Sequence, residues 1–247
     1  MKFGLIGHPI EHSLSPALFK AGYEGAYPYD LIETPDFEEA YSIFLREYDG
    51  INVTAPFKEM ALKKADIVSE ECRTIGATNL LIKTPDGVKA YNSDYLGVRL
   101  WLGKISEGMS SKPRVLIVGM GGAGKAAAAA AMSCGYETVL MNRTQYSSEI
   151  KPLSDFCQEF RKADIIIYNL PVRIAQIDQL SEEYLSAGNR KTILEANYRH
   201  PEFNIQHPNI TYVDGREWLL EQAVTGYELF TGTTPDCEAM KAVIKSK

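Results

Sequence analysis

Gly119-Met120-Gly121-Gly122-Ala123-Gly124 follows the spacing G-x-G-x-x-G, and its flanks decide what that spacing can do. Residues 115–118 before it form a continuous apolar run of buried-strand length. The alanine-rich stretch after it reads as a helix. A strand, a glycine turn and a helix N-terminus in that order make an anion pocket. The glycines let the main chain approach a pyrophosphate, and the unpaired amides of the helix's first turn point at it. This assigns Gly119, Gly121, Gly122, Ala123 and Gly124 to a dinucleotide. The next strand, 138–141, ends in Asn142-Arg143-Thr144, roughly 20 residues past the turn. An acid there would hold ribose hydroxyls, whereas an arginine suits a 2′-phosphate, and no acid stands between Val139 and Gln145. Arg143 therefore points to NADP, with NAD as the weaker alternative.

Three further places put polar groups at helix mouths. Ser13 and Ser15 precede Pro16, which suits a first helical position, so Ser15 reads as the N-cap. Two serines there can equally hydrogen-bond a carboxylate. Pro56 opens a helix at 57–65 whose first turn carries Lys58, at the end where the macrodipole favours anions. Such a lysine is either a solvated surface group or one kept for chemistry. Asn92-Ser93-Asp94 precedes a helix running to about residue 102, and Asp94 reads locally as its cap.

The elements that must position these groups alternate strand and helix. Strands are expected at 2–6, 27–33 and 50–53, and the helix at 37–48 carries Phe37, Ala40, Tyr41, Phe44, Leu45 and Tyr48 at core-facing spacing. Residues 76–83 and 88–91 flank Pro85-Asp86-Gly87, a hairpin signal. The polar segment 103–113 reads as the domain boundary. Beyond Arg143 come a helix at 153–162, a strand at 164–169, a helix at 181–187 and strands at 192–197 and 210–213. Asp214-Gly215 starts a helix with Leu219, Gln222, Ala223, Gly226, Leu229 and Phe230 on one face, and Pro235 opens a last one. At 247 residues the chain is long enough for two modest domains. A net charge of −6 argues against nucleic acid and means that any anion pocket is built locally. No apolar run approaches a membrane span or a signal peptide. Four scattered cysteines fit reduced thiols, and neither they nor the histidines show metal-ligand spacing.

With these residues in view, the sequence resembles the shikimate dehydrogenase family over almost its whole length. The matching motifs are His12-Ser13-Leu14-Ser15-Pro16, Asn52-Val53-Thr54-Ala55-Pro56-Phe57-Lys58, Gly76-Ala77-Thr78-Asn79, Asn92-Ser93-Asp94, the glycine turn, Asn142-Arg143-Thr144, and Asp214-Gly215 followed by Gln222. The resemblance implies an α/β protein with an N-terminal substrate domain, residues 1–102, and a Rossmann-like dinucleotide domain, 103–215. The C-terminal helices, 216–247, would return to the first domain. It implies reversible, NADPH-dependent reduction of 3-dehydroshikimate to shikimate, in aromatic amino-acid precursor synthesis. Lys58 and Asp94 would be the catalytic pair. Ser13 and Ser15 would hold the substrate carboxylate, with Tyr198 nearby, and Thr54, Asn79 and Gln222 would meet ring hydroxyls. Asn142, Arg143, Thr144, Asn169 and Gly215 would join the glycine turn on the cofactor, and no metal is expected. The implied partner is a small-molecule substrate, with no nucleic acid or membrane, in a cytoplasmic monomer or homodimer.

The chain departs from the family pattern in places. Gln145-Tyr146-Ser147-Ser148 stands where a second basic residue often follows, so the NADP preference is expected to be modest. Asn169-Leu170-Pro171-Val172, Glu195, Tyr95 and Trp218 also replace commoner residues. About twenty residues separate Arg143 from the strand at 164–169, so the cofactor sheet is expected to lack a strand. Two alternatives remain: a quinate/shikimate dehydrogenase with relaxed NAD/NADP use, and a non-catalytic nucleotide-binding regulator.

Overall fold

A computed structural model of the chain describes residues 1–188 and 190–246. It divides into two compact units, one of Met1–Gly97 with Leu220–Lys247, the other of Val98–Leu219. The first part of the chain contains β1 (Phe3–Gly7), α1 (Ser15–Gly22), β2 (Tyr29–Glu33), α2 (Phe37–Glu47), β3 (Gly50–Val53) and α3 (Lys58–Lys63). β4 (Ile67–Val68), α4 (Glu70–Ile75), β5 (Leu80–Thr84), β6 (Gly87–Tyr91) and α5 (Ser93–Ser106) follow. Next come β7 (Arg114–Val118), α6 (Gly122–Ser133), β8 (Glu137–Asn142), β9 (Ile150–Pro152), α7 (Phe156–Lys162), β10 (Ile165–Tyr168), α8 (Glu182–Leu185), β11 (Lys191–Glu195) and β12 (Ile210–Val213). α9 (Gly215–Thr231) and α10 (Cys237–Lys245) close the chain.

The first unit is built on a sheet of order β2-β1-β3-β5-β6-β4. β1 is buried along its whole length, which requires cover on both faces. Phe3 stacks on Phe230 at 4.9 Å and meets Phe19 at 5.3 Å, so α1 and α9 cover one face. Ile6, of opposite parity, joins Phe37, Phe44 and Phe57 in the core on the other. α2 forms because Asp36 caps it, accepting from the Glu38 amide at 2.9 Å, and because Phe37, Ala40, Tyr41 and Phe44 share its buried face. α10 returns to α1: the Asp236 amide donates to the Gly22 carbonyl at 2.8 Å. β4 and α4 have no counterpart in the sequence reading. A two-residue strand and a six-residue helix are too short to show a hydrophobic period.

The second unit holds an all-parallel sheet of order β9-β8-β7-β10-β11-β12. The missing-strand expectation is corrected here. β9 pairs with β8, Leu140 opposite Ile150 and Asn142 opposite Pro152, so the sheet has six strands. What is missing is a crossover helix, because residues 143–149 connect two parallel strands in less than the ~12 residues such a link usually takes. β9 is held instead by charge. Lys151 on β9 and Arg114 on β7 donate to the buried Glu159 of α7 at 2.8 and 2.7 Å. The segment read as a connector from residue 103 is helical through Ser106. Trp101 and Leu102 are buried, and the Ser106 hydroxyl bonds both the Gly103 carbonyl and the Tyr136 phenol. At the far end of α7, the ammonium of buried Lys191 donates to the Arg161 and Ala163 carbonyls at 3.0 and 2.8 Å, closing a helix end that lacks intrahelical partners.

Burial pushes the Glu159 carboxyl up, but the Lys151 hydrogen bond and the charges of Lys151, Lys162 and Arg114 bring it net below the usual range. A depressed folded-state pKa contributes stability that is present above the unfolded value and is lost as pH falls through the folded one. Glu159→Gln is therefore expected to destabilise the protein near neutrality, with the gap to wild type narrowing as pH falls through and below the usual carboxylate range. Denaturant unfolding of both proteins across pH 3–8 measures this (pH-independent loss would contradict the assignment).

Candidate active site

β1 and β3 are parallel, so their carboxyl ends lie at one sheet edge. β5 runs antiparallel to β3 and β6 antiparallel to β5, so the start of β5 and the end of β6 return to that same edge. The register makes this specific: Asn52 faces Leu80, and Leu80 faces Tyr91. Thr54, Asn79 and Asn92-Ser93-Asp94 each lie within three residues of one of these paired positions, and Ser13 and Ser15 lie between β1 and α1. Sheet topology thus gathers motifs that are far apart in sequence.

Lys58 is the first residue of α3 and Asp94 the second of α5. Lys58 Nζ lies 2.6 Å from Asp94 Oδ2, with the two side chains 25% and 18% exposed. The pair is therefore reachable by a ligand yet partly withdrawn from water. Asp94 lies inside its helix rather than at the cap position, a correction to the local sequence reading. Asn92 Oδ1 accepts from the Tyr95 amide at 3.0 Å and fills that role. The Lys58 main chain is anchored by buried Phe57 and by its carbonyl, which accepts from the Thr78 amide at 3.1 Å.

Ser15 is also not the cap of α1. It is the first helical residue, Leu14 occupies the cap position, and no side chain caps there. Ser13 Oγ accepts from the Ser15 amide at 3.2 Å and donates to Ser15 Oγ at 3.1 Å, so the two hydroxyls form one cluster. The Tyr227 hydroxyl donates to the Ser15 carbonyl at 3.1 Å. Asn79 and Gln222 are joined through Ser93, whose hydroxyl lies 3.0 Å from Asn79 Nδ2 and 3.0 Å from Gln222 Oε1. Asn52 extends this network, donating to the Asn79 carbonyl at 3.4 Å and accepting from Tyr29 at 2.8 Å. Ser93, Asn52 and Tyr227 were missed from sequence. Tyr227 was visible, because it continues the α9 face four residues after Ala223. Ser93 carried no local signal beyond its motif. Tyr198 belongs to the other unit, in the segment after β11, with the Arg199 guanidinium 5.8 Å from its ring centre. Buried Glu195 ties down that segment by accepting from the Glu202 and Phe203 amides and from the Tyr212 hydroxyl.

In the second unit, the glycine turn sits at the carboxyl end of β7, where the strand order reverses between β7 and β10, the place where such sheets bind nucleotides. Gly119 has φ +91°, which only glycine adopts without strain. A Cβ on Gly124 would lie 1.8 Å from the Gly119 carbonyl oxygen, so this glycine permits the close approach of α6. A Cβ on Gly121 or Gly122 would meet nothing within 4 Å, which leaves room before the helix for an anion. No side chain caps α6, so its first amides keep their donor capacity. Asn142 Oδ1 accepts from the Met120 amide at 3.3 Å, and its Nδ2 donates to the Thr144 carbonyl at 3.0 Å. Arg143 is exposed and forms no ion pair among the described residues. Asn169 follows β10 and donates to the Ile167 carbonyl at 3.2 Å, while its buried Oδ1 has no partner among the described residues. Gly215 is different: it packs on the main chain, where a Cβ would lie 2.5 Å from the Ala196 carbonyl. The open cradle, the uncapped helix and the orphaned Asn169 oxygen fit a dinucleotide.

These two units define a class, an oxidoreductase with a nicotinamide-dinucleotide sheet and a separate unit carrying an ammonium–carboxylate pair. Residues 5–81 match the family model described as the shikimate dehydrogenase substrate binding domain. The NADP(+) shikimate dehydrogenase of Carboxydothermus hydrogenoformans is 26% identical over 267 residues, covering 98% of this chain and 95% of its own. That of Thermotoga maritima is 34% identical over 188 residues, 74% of this chain and 64% of its own. Among solved structures, shikimate 5-dehydrogenase from Thermus thermophilus, in complex with NADP(H) and shikimate, matches with a TM-score of 0.80. It is 26% identical, covering 100% of this chain and 99% of that one. The chain belongs to the shikimate dehydrogenase family.

The two kinds of glycine in the turn separate by experiment. Gly124→Ala is expected to destabilise the protein by ~1–3 kcal/mol through overpacking. Gly121→Ala should leave stability within about 0.5 kcal/mol while weakening dinucleotide binding. Thermal melts and cofactor titration of both variants check this.

Proposed function

We propose that this chain is an NADP-dependent shikimate dehydrogenase, interconverting 3-dehydroshikimate and shikimate. The observation that carries the proposal is the 2.6 Å contact between Lys58 and Asp94 at a sheet edge rich in hydroxyls and amides. The substrate is a carboxylate whose ring bears hydroxyls, so it needs hydroxyl and amide partners and one proton-transfer group. Ser13 and Ser15 hold the carboxylate. Thr54, Asn79 and Gln222 meet the ring hydroxyls.

NADPH, when bound, supplies the hydride. Addition to the ketone puts negative charge on oxygen, which the Lys58 ammonium stabilises by a hydrogen bond and then neutralises by giving up a proton. Asp94 keeps that ammonium oriented through their 2.6 Å contact. Lysine serves because it can release a proton, which arginine does not readily do. In the reverse direction, neutral Lys58 accepts the proton of the alcohol. The glycine turn and the first amides of α6 hold the pyrophosphate, Asn142, Arg143 and Thr144 hold the phosphorylated ribose, and Asn169 and Gly215 complete the cofactor contacts.

The second reading, relaxed use of NAD and quinate, is favoured on its cofactor side alone, by one observation: Gln145-Tyr146-Ser147-Ser148 offers no second cation beside Arg143. Turnover of shikimate and quinate with NADP and NAD, side by side, separates the readings. Shikimate with NADP is the expected best pair, and cofactor binding without turnover of either acid would overturn both. Lys58→Ala is expected to lower kcat by ~10²–10⁴ with NADPH affinity unchanged. Arg143→Ala should weaken NADPH by roughly ten- to 150-fold, the worth of one charge-assisted contact, and NADH far less.

A further inference from the structure

A carboxamide side chain can be rotated by half a turn with little change of shape, and the two orientations offer a ligand opposite hydrogen-bonding ends. For Gln222 the surrounding structure makes the choice. Ser93 opens α5, so its backbone N–H has no partner within the helix. That N–H donates to Asn79 Oδ1 at 2.7 Å. A main-chain N–H cannot accept, so the Asn79 oxygen must face it, and Asn79 Nδ2 then donates to Ser93 Oγ at 3.0 Å. The hydroxyl has one proton, which must point away from that N–H. Gln222 Oε1 receives it at 3.0 Å. The competing acceptor, Asn79 Oδ1, lies further off at 3.3 Å and already holds the backbone bond. Gln222 is therefore turned with its carbonyl toward Ser93 and its NH2 away.

The packing leaves this arrangement little freedom. Ser93 is fully buried and Asn79 is 5% exposed. A Cβ on Gly97 would lie 2.5 Å from the Gln222 main-chain nitrogen, and one on Gly226 would lie 3.1 Å from Ser93 Cβ. These two glycines bring α5 and α9 close enough for the hydroxyl to reach across.

We propose that Ser93 is a positioning residue, the middle of a one-way relay from the α5 N-terminus through Asn79 to Gln222 that turns the Gln222 NH2 toward the substrate. The site then recognises an acceptor oxygen, a ring hydroxyl, through a donor whose direction is fixed before the ligand arrives. This deepens the shikimate dehydrogenase reading and rests on it for the identity of the ligand.

Ser93→Ala in the full chain is expected to raise the shikimate KM about five- to tenfold, with kcat within about threefold and the NADP KM unchanged. Ser93→Thr keeps the hydroxyl and should restore the KM. In a Gln222→Ala background, Ser93→Ala should add less than about twofold, because the relay has lost its end. A merely structural serine would lower kcat and melting temperature together, and its effect would add to that of Gln222→Ala. That additivity, or a Ser93→Ala KM within twofold of wild type, overturns the proposal. Two measurements stand apart from these. Gln222→Glu keeps the acceptor for Ser93 but loses the donor, so wild-type shikimate affinity in that variant overturns the assigned polarity even if Ser93→Ala fails to fold. The Gln222 carboxamide resonances in 15N spectra, assigned with Gln222→Ala, should move in Ser93→Thr and Ser93→Ala, and unmoved signals overturn the relay. If the wild-type protein neither binds nor oxidises shikimate, the substrate reading falls, while the spectra still decide the relay.

Discussion

One short stretch, Thr78-Asn79, holds both halves of the ion pair in place. The Thr78 amide donates to the Lys58 carbonyl, and the Asn79 side chain accepts from the first amide of the helix that carries Asp94. Thr78 is itself fixed, its hydroxyl donating to the Tyr91 carbonyl at 2.6 Å. An ammonium and a carboxylate from helices that start 35 residues apart, at Lys58 and Ser93, thus answer to neighbouring residues on one strand edge. Buried polar groups of this kind are costly unless every partner is present. Here the satisfied network is what makes the separation of the two charges reproducible.

The electrostatics of the pair are asymmetric. Asp94 sits in the first turn of α5, where the helix field favours an anion, and Lys58 sits in the first turn of α3, where it does not. The carboxylate is therefore at home without its partner, whereas the ammonium depends on the carboxylate to remain oriented.

The fold was largely legible because its strongest signals are local. The apolar run of β7, the glycine turn and the alanines of α6 need no tertiary context, and Pro85-Asp86 joins β5 to β6 as a tight hairpin. β9 was not legible, because a three-residue strand is defined by its neighbours β8 and Glu159 rather than by its own sequence. The caps were misread for a related reason. Serine and aspartate before an apolar run do favour helix starts, but position within the first turn decides between capping and presenting a side chain. At both α1 and α5 that position shifted by one or two residues. The motif residues were legible through family likeness, whereas Ser93 as the link between Asn79 and Gln222 emerges only once α5 and α9 are packed.

The bare link between β8 and β9 has a further implication for how this protein tolerates change. Residues 143–149 are exposed throughout and carry no regular helix or strand. Loop-closure entropy grows only logarithmically, so doubling such a segment costs about 0.6 kcal/mol. Extra chain can therefore be spliced here with little thermodynamic effect on the sheet. The outermost strand ends at Pro152, which has no N–H to offer an incoming chain, so the border of the sheet is guarded against self-association even where it is thinnest.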